Sequence, residues 1–380
     1  MENITLVVLS AGNSSRFKLK TKKQWLRIDN KPLWLFVTDN IVKDNQFDNI
    51  IVVGHQNEIN YMNNFSDEYK FVAGGDTRQG SIKNAMRYVD TKYVMITDVA
   101  RCCIPNSVIQ NLITNKNRAN VIVPILKASD TIVYKNDTID RDEVKIIQTP
   151  QLSTTKKLKK ALKTDIEFTD ESSAIKNIDG TVFYIDGDTQ SKKLTFGGET
   201  NDIFCLKEPS KDNFVGFGID THKFEENKQM YLGSVEIDVD YGFKAHSDGD
   251  VLIHSVIDAI LGAVCAGDIG EFFPDNEPKY KNIDSKILLK FILEFIINVG
   301  YQIINIDLTI IAEQPKINPY KNKIRSEMAN LLNISKQNIN IKATTSEKMG
   351  FIGRKEGVTV QTIANLKYYD WKENNEHTNN

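Results

Sequence analysis

A chain of 380 residues is too long for one ordinary core and leaves room for two domains. Its formal net charge of −2 and charged fraction of 26% lack the basic bias of a nucleic-acid binder, and no apolar run is long enough to span a membrane. The four cysteines, Cys102, Cys103, Cys205 and Cys265, show neither Cys-x-x-Cys nor paired spacing, so neither a disulfide framework nor a thiolate zinc site is predicted, and a soluble protein of a reducing cytoplasm is expected.

From residue 1 to about 196, short β-branched runs alternate with longer amphipathic or polar segments: "ITLVVLS", "NIIVVGH", "KYVMITD" and "ANVIVPI". Apolar residues on successive positions mark strands buried on both faces, so a mostly parallel, Rossmann-like α/β sheet is predicted. The spacing predicts helices over 32–42, 81–88 and 106–112, and a basic helix over 154–163 whose lysines form a solvated face. Around "GGETNDIFCLKEPSKDN" periodicity fails and Gly, Pro, Asn and charge accumulate, which predicts domains over 1–205 and 213–370 with a linker over 206–212. Beyond it, "NFVGFGIDTHKF", "QMYLGSVEID", "YQIINIDLTIIAE" and "NINIKATTS" read as strands, with helices near 249–265, 284–299 and 318–332, a smaller mixed α/β unit. Residues 371–380, ending in "ENNEHTNN" with His377, read as a disordered tail.

Two groups of residues carry chemistry. The first begins with "LVVLSAGNSSRF", a strand running into a loop of small residues and then Arg16, with Lys22 and Lys23 following. Small residues let backbone N–H groups approach an anion closely, so phosphate is the natural ligand, although a tight strand-to-helix turn would look the same. The loop lacks the Gly-Lys-Ser/Thr of a Walker motif and the glycines of the dinucleotide fingerprint. Further on come "GGDTRQGSI", "ITDVAR", Thr131, Arg141, "TPQ" and "FTDES"; in an open parallel sheet Asp98 and Arg101 would reach the same rim as the first loop.

This set, over residues 3–196, resembles the methylerythritol phosphate cytidylyltransferases of isoprenoid precursor synthesis. The resemblance implies that Ser10, Ala11, Gly12, Ser14 and Arg16 surround the CTP phosphates, with Arg101 nearby, and that Lys23 meets the α-phosphate. It implies Gly75, Asp76 and Ser81 at the cytosine and ribose end, Asp98 on a Mg²⁺ or Mn²⁺ ion, and Lys193 near the phosphates. Thr131, Arg141, Thr149 and Thr169 would hold the sugar phosphate. Two departures stand out: a family glycine is Ser14, and Asp-Ala-Ala-Arg reads Asp98-Val99-Ala100-Arg101. A nucleotide transfer to another polyol or sugar phosphate is the alternative, because the loop and Asp98 are shared across the nucleotidyltransferase fold.

The second group starts at Asp220 and His222, two apart in a strand and therefore on one face. His254 lies in "AHSDGDVLIHSVIDAILG", where Ser247 or Asp248 is a suitable N-cap and Asp250, His254 and Asp258 recur every four residues. One Asp and two His suit Zn²⁺ with one coordination position open, although a lone helical His is more often a packing residue. Asp250 reads as a cap or orienting group, and Asp258 as an acceptor for a histidine ligand. With "GDIGEFFPD", "IIAEQPK" and "KATTSEKMGFIGRKEG", residues 214–368 resemble methylerythritol cyclodiphosphate synthase.

That resemblance implies Zn²⁺ on Asp220, His222 and His254, and Mg²⁺ or Mn²⁺ on Glu347. It places His246 and Ser247 on a substrate phosphate, Asp268, Gly270 and Asp275 on the erythritol part, and Ala312, Lys316, Ala343, Thr344 and Thr345 on cytidine, with Phe351 and Arg354 near the substrate. The expectation is therefore a fused enzyme with two non-consecutive activities, acting on cytidine nucleotides and phosphorylated polyols, with no nucleic-acid or membrane partner. The resemblances imply dimer contacts through the first domain and trimer contacts through the second, and so a homo-oligomer such as a hexamer.

Overall fold

In the computed structural model, which describes residues 3–274 and 276–376, the chain divides into two units, 1–210 together with 370–380, and 211–369. No helix among the described residues is long and apolar enough to cross a membrane.

The first unit is built on an eight-stranded sheet. Its strands are β1 (Ile4–Leu9), β2 (Asn49–Gly54), β3 (Lys70–Ala73), β4 (Tyr93–Asp98), β5 (Val121–Lys127), β6 (Lys145–Ile147), β7 (Gln151–Thr154) and β8 (Val182–Asp186). They run in the order β6-β5-β7-β4-β1-β2-β3, with β8 alongside β5. β1 pairs parallel to both β2 and β4, β2 to β3 and β5 to β8, while β7 and β6 run antiparallel to their neighbours. All six residues of β1 and all six of β4 are buried, as continuous apolar runs covered on both faces should be. Helices stand at Leu33–Val42, Arg78–Met86, Asn106–Thr114 and Thr155–Ala161. The helix expected from Ser81 starts three residues earlier because Thr77 caps it, its hydroxyl accepting from Gly80 N at 3.0 Å.

Two expectations fail in this unit. Cys103 and Cys205 form a disulfide with Cα atoms 5.9 Å apart, so the absence of pairing read from their spacing was wrong. They lie 102 residues apart, and only the fold brings them together; the support that spacing lent to a reducing compartment goes with it. The expected disordered tail is, over Trp371–Glu376, a helix belonging to the first unit, and Trp371 is only 2% exposed. The polarity of 373–380 had hidden one large apolar anchor just before it; His377 lies outside the described residues.

The second unit has a five-stranded sheet in the order β10-β9-β13-β11-β12, from β9 (Asn213–Glu226), β10 (Tyr241–Phe243), β11 (Tyr301–Ile311), β12 (Ile339–Thr344) and β13 (Gly357–Tyr368). β13 pairs antiparallel with β9 and β11, yet it was not among the strands read from sequence. Its first four residues are all buried and burial alternates from Val360 on, but Thr362 and Ala364 dilute the apolar signal. One face of β9 carries Gly216 and Gly218 against α1 (Val251–Ala263). A Cβ on Gly216 would lie 2.0 Å from Ala259 O, and one on Gly218 would lie 2.1 Å from Ser255 O. Only glycine admits so close an approach of helix to strand.

The cap of α1 is Asp250, not Ser247 or Asp248, which are engaged elsewhere. Asp250 accepts from Ile253 N at 3.1 Å, Gly233 N at 2.9 Å and Ser234 N at 2.6 Å, so it faces backbone rather than an open pocket.

Candidate active sites

In the first unit the chain order reverses across β1 and β4, and a cleft opens beyond their carboxyl ends, where open α/β sheets place ligands. Its cavity of about 800 Å³ is lined by Ser10, Ala11, Gly12, Ser14, Arg16, Lys23, Gly75, Asp76, Ser81, Asp98 and Lys193. Ser14 adopts φ +54°, the left-handed conformation that favours glycine. Its hydroxyl offsets that cost locally, accepting from Lys23 N at 3.0 Å and donating to Gln24 Oε1 at 3.2 Å.

Asp98 is clamped by two cations, Arg78 Nε at 2.9 Å and Lys193 Nζ at 2.8 Å. Burial pushes its carboxyl up, but Arg78 and Lys193 outweigh that and hold it at about 2. Lys23 donates to Leu194 O at 2.8 Å, and burial, then Lys193, lower its ammonium below the usual lysine range. The cleft therefore gathers positive charge on Arg16, Lys23, Arg78 and Lys193, with two of these clamping Asp98 and Asp76 the other carboxylate of the lining, a setting fit for a polyphosphate.

A carboxyl held below its ordinary 3.8 contributes stability above that value and loses it as pH falls towards 2. Asp98→Asn should thus be less stable than the parent at pH 6, with the gap narrowing by about 1 kcal/mol at pH 3 in urea titrations. A gap that stays constant would contradict the clamp.

Other expected residues lie elsewhere. Arg101 is buried beside the cleft and points away from it, donating to Thr149 Oγ1 at 3.0 Å and to Ser191 O at 2.6 Å. Arg101 and Thr149 therefore brace one another and do not line the cavity. Thr131 and Arg141 are exposed and flank the small hairpin Ile132–Tyr134 and Asp137–Ile139. Thr169 is exposed; from the same stretch it is Glu171, fully buried, that reaches the network, accepting from Arg78 Nη1 at 2.8 Å. Sequence reasoning missed both Arg78 and Glu171. Each follows a side-chain cap, Thr77 or Asp170, at the first position of a helix, and that was the available signal.

In the second unit Asp220, His222 and His254 meet. Asp220 and His222 continue the face of β9 that carries the two glycines, so both look towards α1. Asp220 Oδ2 stands 3.1 Å from His222 Nε2 and 3.1 Å from His254 Nδ1, and all three potential ligand atoms lie within 4.8 Å of one another. His222 Nδ1 lies 3.0 Å from Gly249 O, which holds that nitrogen as the donor and leaves Nε2 facing the cluster. His254 Nε2 lies 2.9 Å from Ser285 Oγ, and Ser285 donates to Asp248 Oδ1 at 2.5 Å. Burial pushes the Asp220 carboxyl up, but hydrogen bonds from both imidazoles prevail and hold it well below the usual range. Burial lowers His222, and its bond to Asp220 outweighs that and raises it.

The cavity beside this cluster, about 370 Å³, is also lined by His246, Ser247 and Gly270, with Lys244 and Lys281 adding positive charge. Asp258 lines it too, but accepts from Ile269 N at 2.9 Å and not, as expected, from a histidine. Asp268 caps the short helix Ile269–Phe272, and Asp275 lies outside the described residues. Ala312, Lys316, Ala343, Thr344, Thr345, Glu347, Phe351 and Arg354 do not line this cavity. Glu347 is exposed and accepts from Thr345 Oγ1 at 3.1 Å, and Arg354 pairs with Glu356.

A phosphate-binding cleft at the switch point of a parallel sheet, joined in one chain to a unit with an Asp-His-His cluster, defines an enzyme with two active sites, one of nucleotidyltransferase type. Family models agree: residues 4–202 match "2-C-methyl-D-erythritol 4-phosphate cytidylyltransferase" and residues 214–367 match the "YgbB family". The bifunctional enzyme IspD/IspF of Aliarcobacter butzleri is 64% identical over 98% of this chain and 100% of its own, and that of Campylobacter fetus is 50% identical over 98% and 99%. The solved structure of the bifunctional IspDF from Campylobacter jejuni superposes with a TM-score of 0.86, at 45% identity, covering 97% of this chain and 99% of that one. The chain belongs to the family of bifunctional IspD/IspF enzymes. Transfer to some other sugar phosphate is not favoured by this membership.

Proposed function

We propose that the first unit joins the cytidylyl group of CTP to methylerythritol 4-phosphate and releases pyrophosphate, and that the second closes methylerythritol 2,4-cyclodiphosphate from CDP-methylerythritol 2-phosphate and releases CMP. The carrying observation is the convergence of Asp220, His222 and His254 from strand and helix onto one point beside a cationic cavity.

In the reaction of the first unit a phosphate oxygen of the acceptor attacks the α-phosphorus of CTP, and the bond to the bridging oxygen of pyrophosphate breaks. Loop 10–14 presents backbone N–H groups to the triphosphate, and Lys23, Lys193 and Arg16 offset the negative charge that gathers as it reacts. Gly75, Asp76 and Ser81 hold the nucleoside end, and Ser81 accepts from Gly75 N at 3.1 Å, which keeps that turn in shape. Asp98, bonded to Arg78 and Lys193, would hold a Mg²⁺ or Mn²⁺ ion, which would offset charge on the nucleotide phosphates.

In the reaction of the second unit, which acts on a substrate carrying a further phosphate, the 2-phosphate attacks the β-phosphorus of the diphosphate and CMP departs. The nitrogen, nitrogen and oxygen donors of His222, His254 and Asp220 fit zinc, and leave a coordination position for a phosphate oxygen that the ion would polarise. Gly249 and Ser285 orient the two rings, and His246 and Ser247 receive a phosphate. Asp268, Gly270 and Asp275 hold the erythritol part.

Homo-oligomeric assembly completes both sites in this reading. Thr131 and Arg141 ride on an exposed arm with exposed Val133 and Tyr134, suited to entering the cleft of a second copy. Val215, Phe217, Ile219 and Ile363 form an exposed apolar sheet face, which suits a threefold contact bringing Glu347, Phe351, Arg354 and the cytidine residues of one copy to the cluster of the next. The protein is expected to work in the cytoplasm.

Elemental analysis of purified protein combined with both product assays tests this. Zinc near one ion per chain, pyrophosphate from CTP with methylerythritol 4-phosphate, and CMP from the second substrate are expected; equal pyrophosphate release from UTP would sink the first assignment.

A further inference from the structure

Resting on the reading of the first unit as a cytidylyltransferase, we infer that Trp371 is a positioning residue for its active site, although it lies outside the matched segment 4–202. The indole is almost wholly buried, and its N–H donates to the carbonyl of Arg27 at 2.8 Å. Trp has one donor and no acceptor, and here a main-chain carbonyl satisfies that donor inside the packed surroundings of the ring. Asp370 fixes the entry to the helix, accepting from Lys372 N and Glu373 N at 3.0 Å each.

Two segments meet here. Arg27 lies four residues beyond Lys23, two residues after the end of the 3₁₀ turn Lys23–Trp25. The helix Trp371–Glu376 packs against a second 3₁₀ turn, Gly197–Asp202, which begins four residues beyond Lys193. That turn is tied back towards the cleft: Glu199 Oε2 accepts from Thr195 N at 2.7 Å, and Thr195 lines the cavity. The C-terminal segment thus touches the chain a few residues beyond each of the two lysines.

Such a brace has physical work to do. Lys23 and Lys193 are close enough to repel one another, while Asp98 bonds only to Lys193 of the two. Lys23 is held instead through its bond to Leu194 O, a main-chain atom of the Lys193 stem. Whatever lets that stem drift moves both ammonium groups relative to the α-phosphorus, and misplacement by about 1 Å can cost about a hundredfold in rate.

The test uses the full chain carrying Trp371→Ala or Trp371→Phe, with steady-state pyrophosphate release, CMP release and thermal melting measured on each. For Trp371→Ala, kcat of cytidylyl transfer should fall about tenfold with KM for CTP within about threefold of the parent, while CMP release is unchanged. Trp371→Phe keeps a buried ring but lacks the donor to Arg27 O, and should recover kcat only in part. An unchanged kcat in Trp371→Ala overturns the inference, as does a loss in which both activities and the melting temperature fall together in Ala and Phe alike. A parent chain that releases CMP but no pyrophosphate would remove the reading of the first unit itself; an active parent with indifferent variants sinks only the role of Trp371.

Discussion

Asp220→Ala should leave the purified protein without bound zinc and cut CMP release by about a thousandfold or more, several kcal/mol of barrier, with pyrophosphate release from CTP untouched. The reason is the central place of this carboxylate: Oδ2 is 3.1 Å from both His222 Nε2 and His254 Nδ1, and these contacts hold it ionised. Its removal takes away the one negative ligand and leaves two imidazoles facing each other across a partly buried gap. Inductively coupled plasma analysis and a CMP assay on the same preparation decide the matter. CMP formed at the parental rate by metal-free protein would refute the assignment. Asp258→Asn offers a contrast, because that carboxyl accepts from Ile269 N and should be felt mainly through the shape of the cavity wall.

Lys23→Ala should lower kcat for pyrophosphate release by about two to three orders of magnitude, with CMP release as the internal control. Among the described residues no carboxylate bonds the Lys23 ammonium; it donates to Leu194 O, a neutral acceptor that a phosphate oxygen readily replaces. Burial and Lys193 already depress its affinity for a proton, so the ammonium gains from meeting an anion. Lys23→Arg should recover little, because a planar fork does not substitute for a compact cation in so confined a place. A loss below about threefold in Lys23→Ala would move the critical charge elsewhere, with Lys193, Arg16 and Arg78 the other cations lining the cleft.

Much of this was legible before any coordinates. Continuous apolar runs such as "ITLVVLS" and "KYVMITD" declare a strand covered on both faces, and the reversal of chain order at β1 then fixes where a ligand sits. The Asp-x-His spacing at 220–222 needs only strand periodicity to be read as a shared face. Illegible residues were those whose role depends on a partner distant in sequence. Arg78 and Glu171 look like ordinary surface charges until they meet 93 residues apart, and Cys103 with Cys205 are 102 apart. Arg101 shows the opposite failing: the motif puts it at the right rim, but its guanidinium turns to Thr149 and Ser191, a choice made by packing. Strand β13 went unseen because Thr and Ala occupy positions where period two wants large apolar residues.

The alternation along β9 has one more consequence. Even-numbered residues 216, 218, 220 and 222 supply two glycines and then two candidate metal ligands to the side of α1, while odd-numbered Val215, Phe217 and Ile219 supply the apolar surface behind. A single inserted residue just before Asp220 would turn both ligands outward onto the greasy side. This short span should therefore tolerate exchanges of side chain far better than any change in its count of residues, so that lengthening by one and lengthening by two ought to have very different fates.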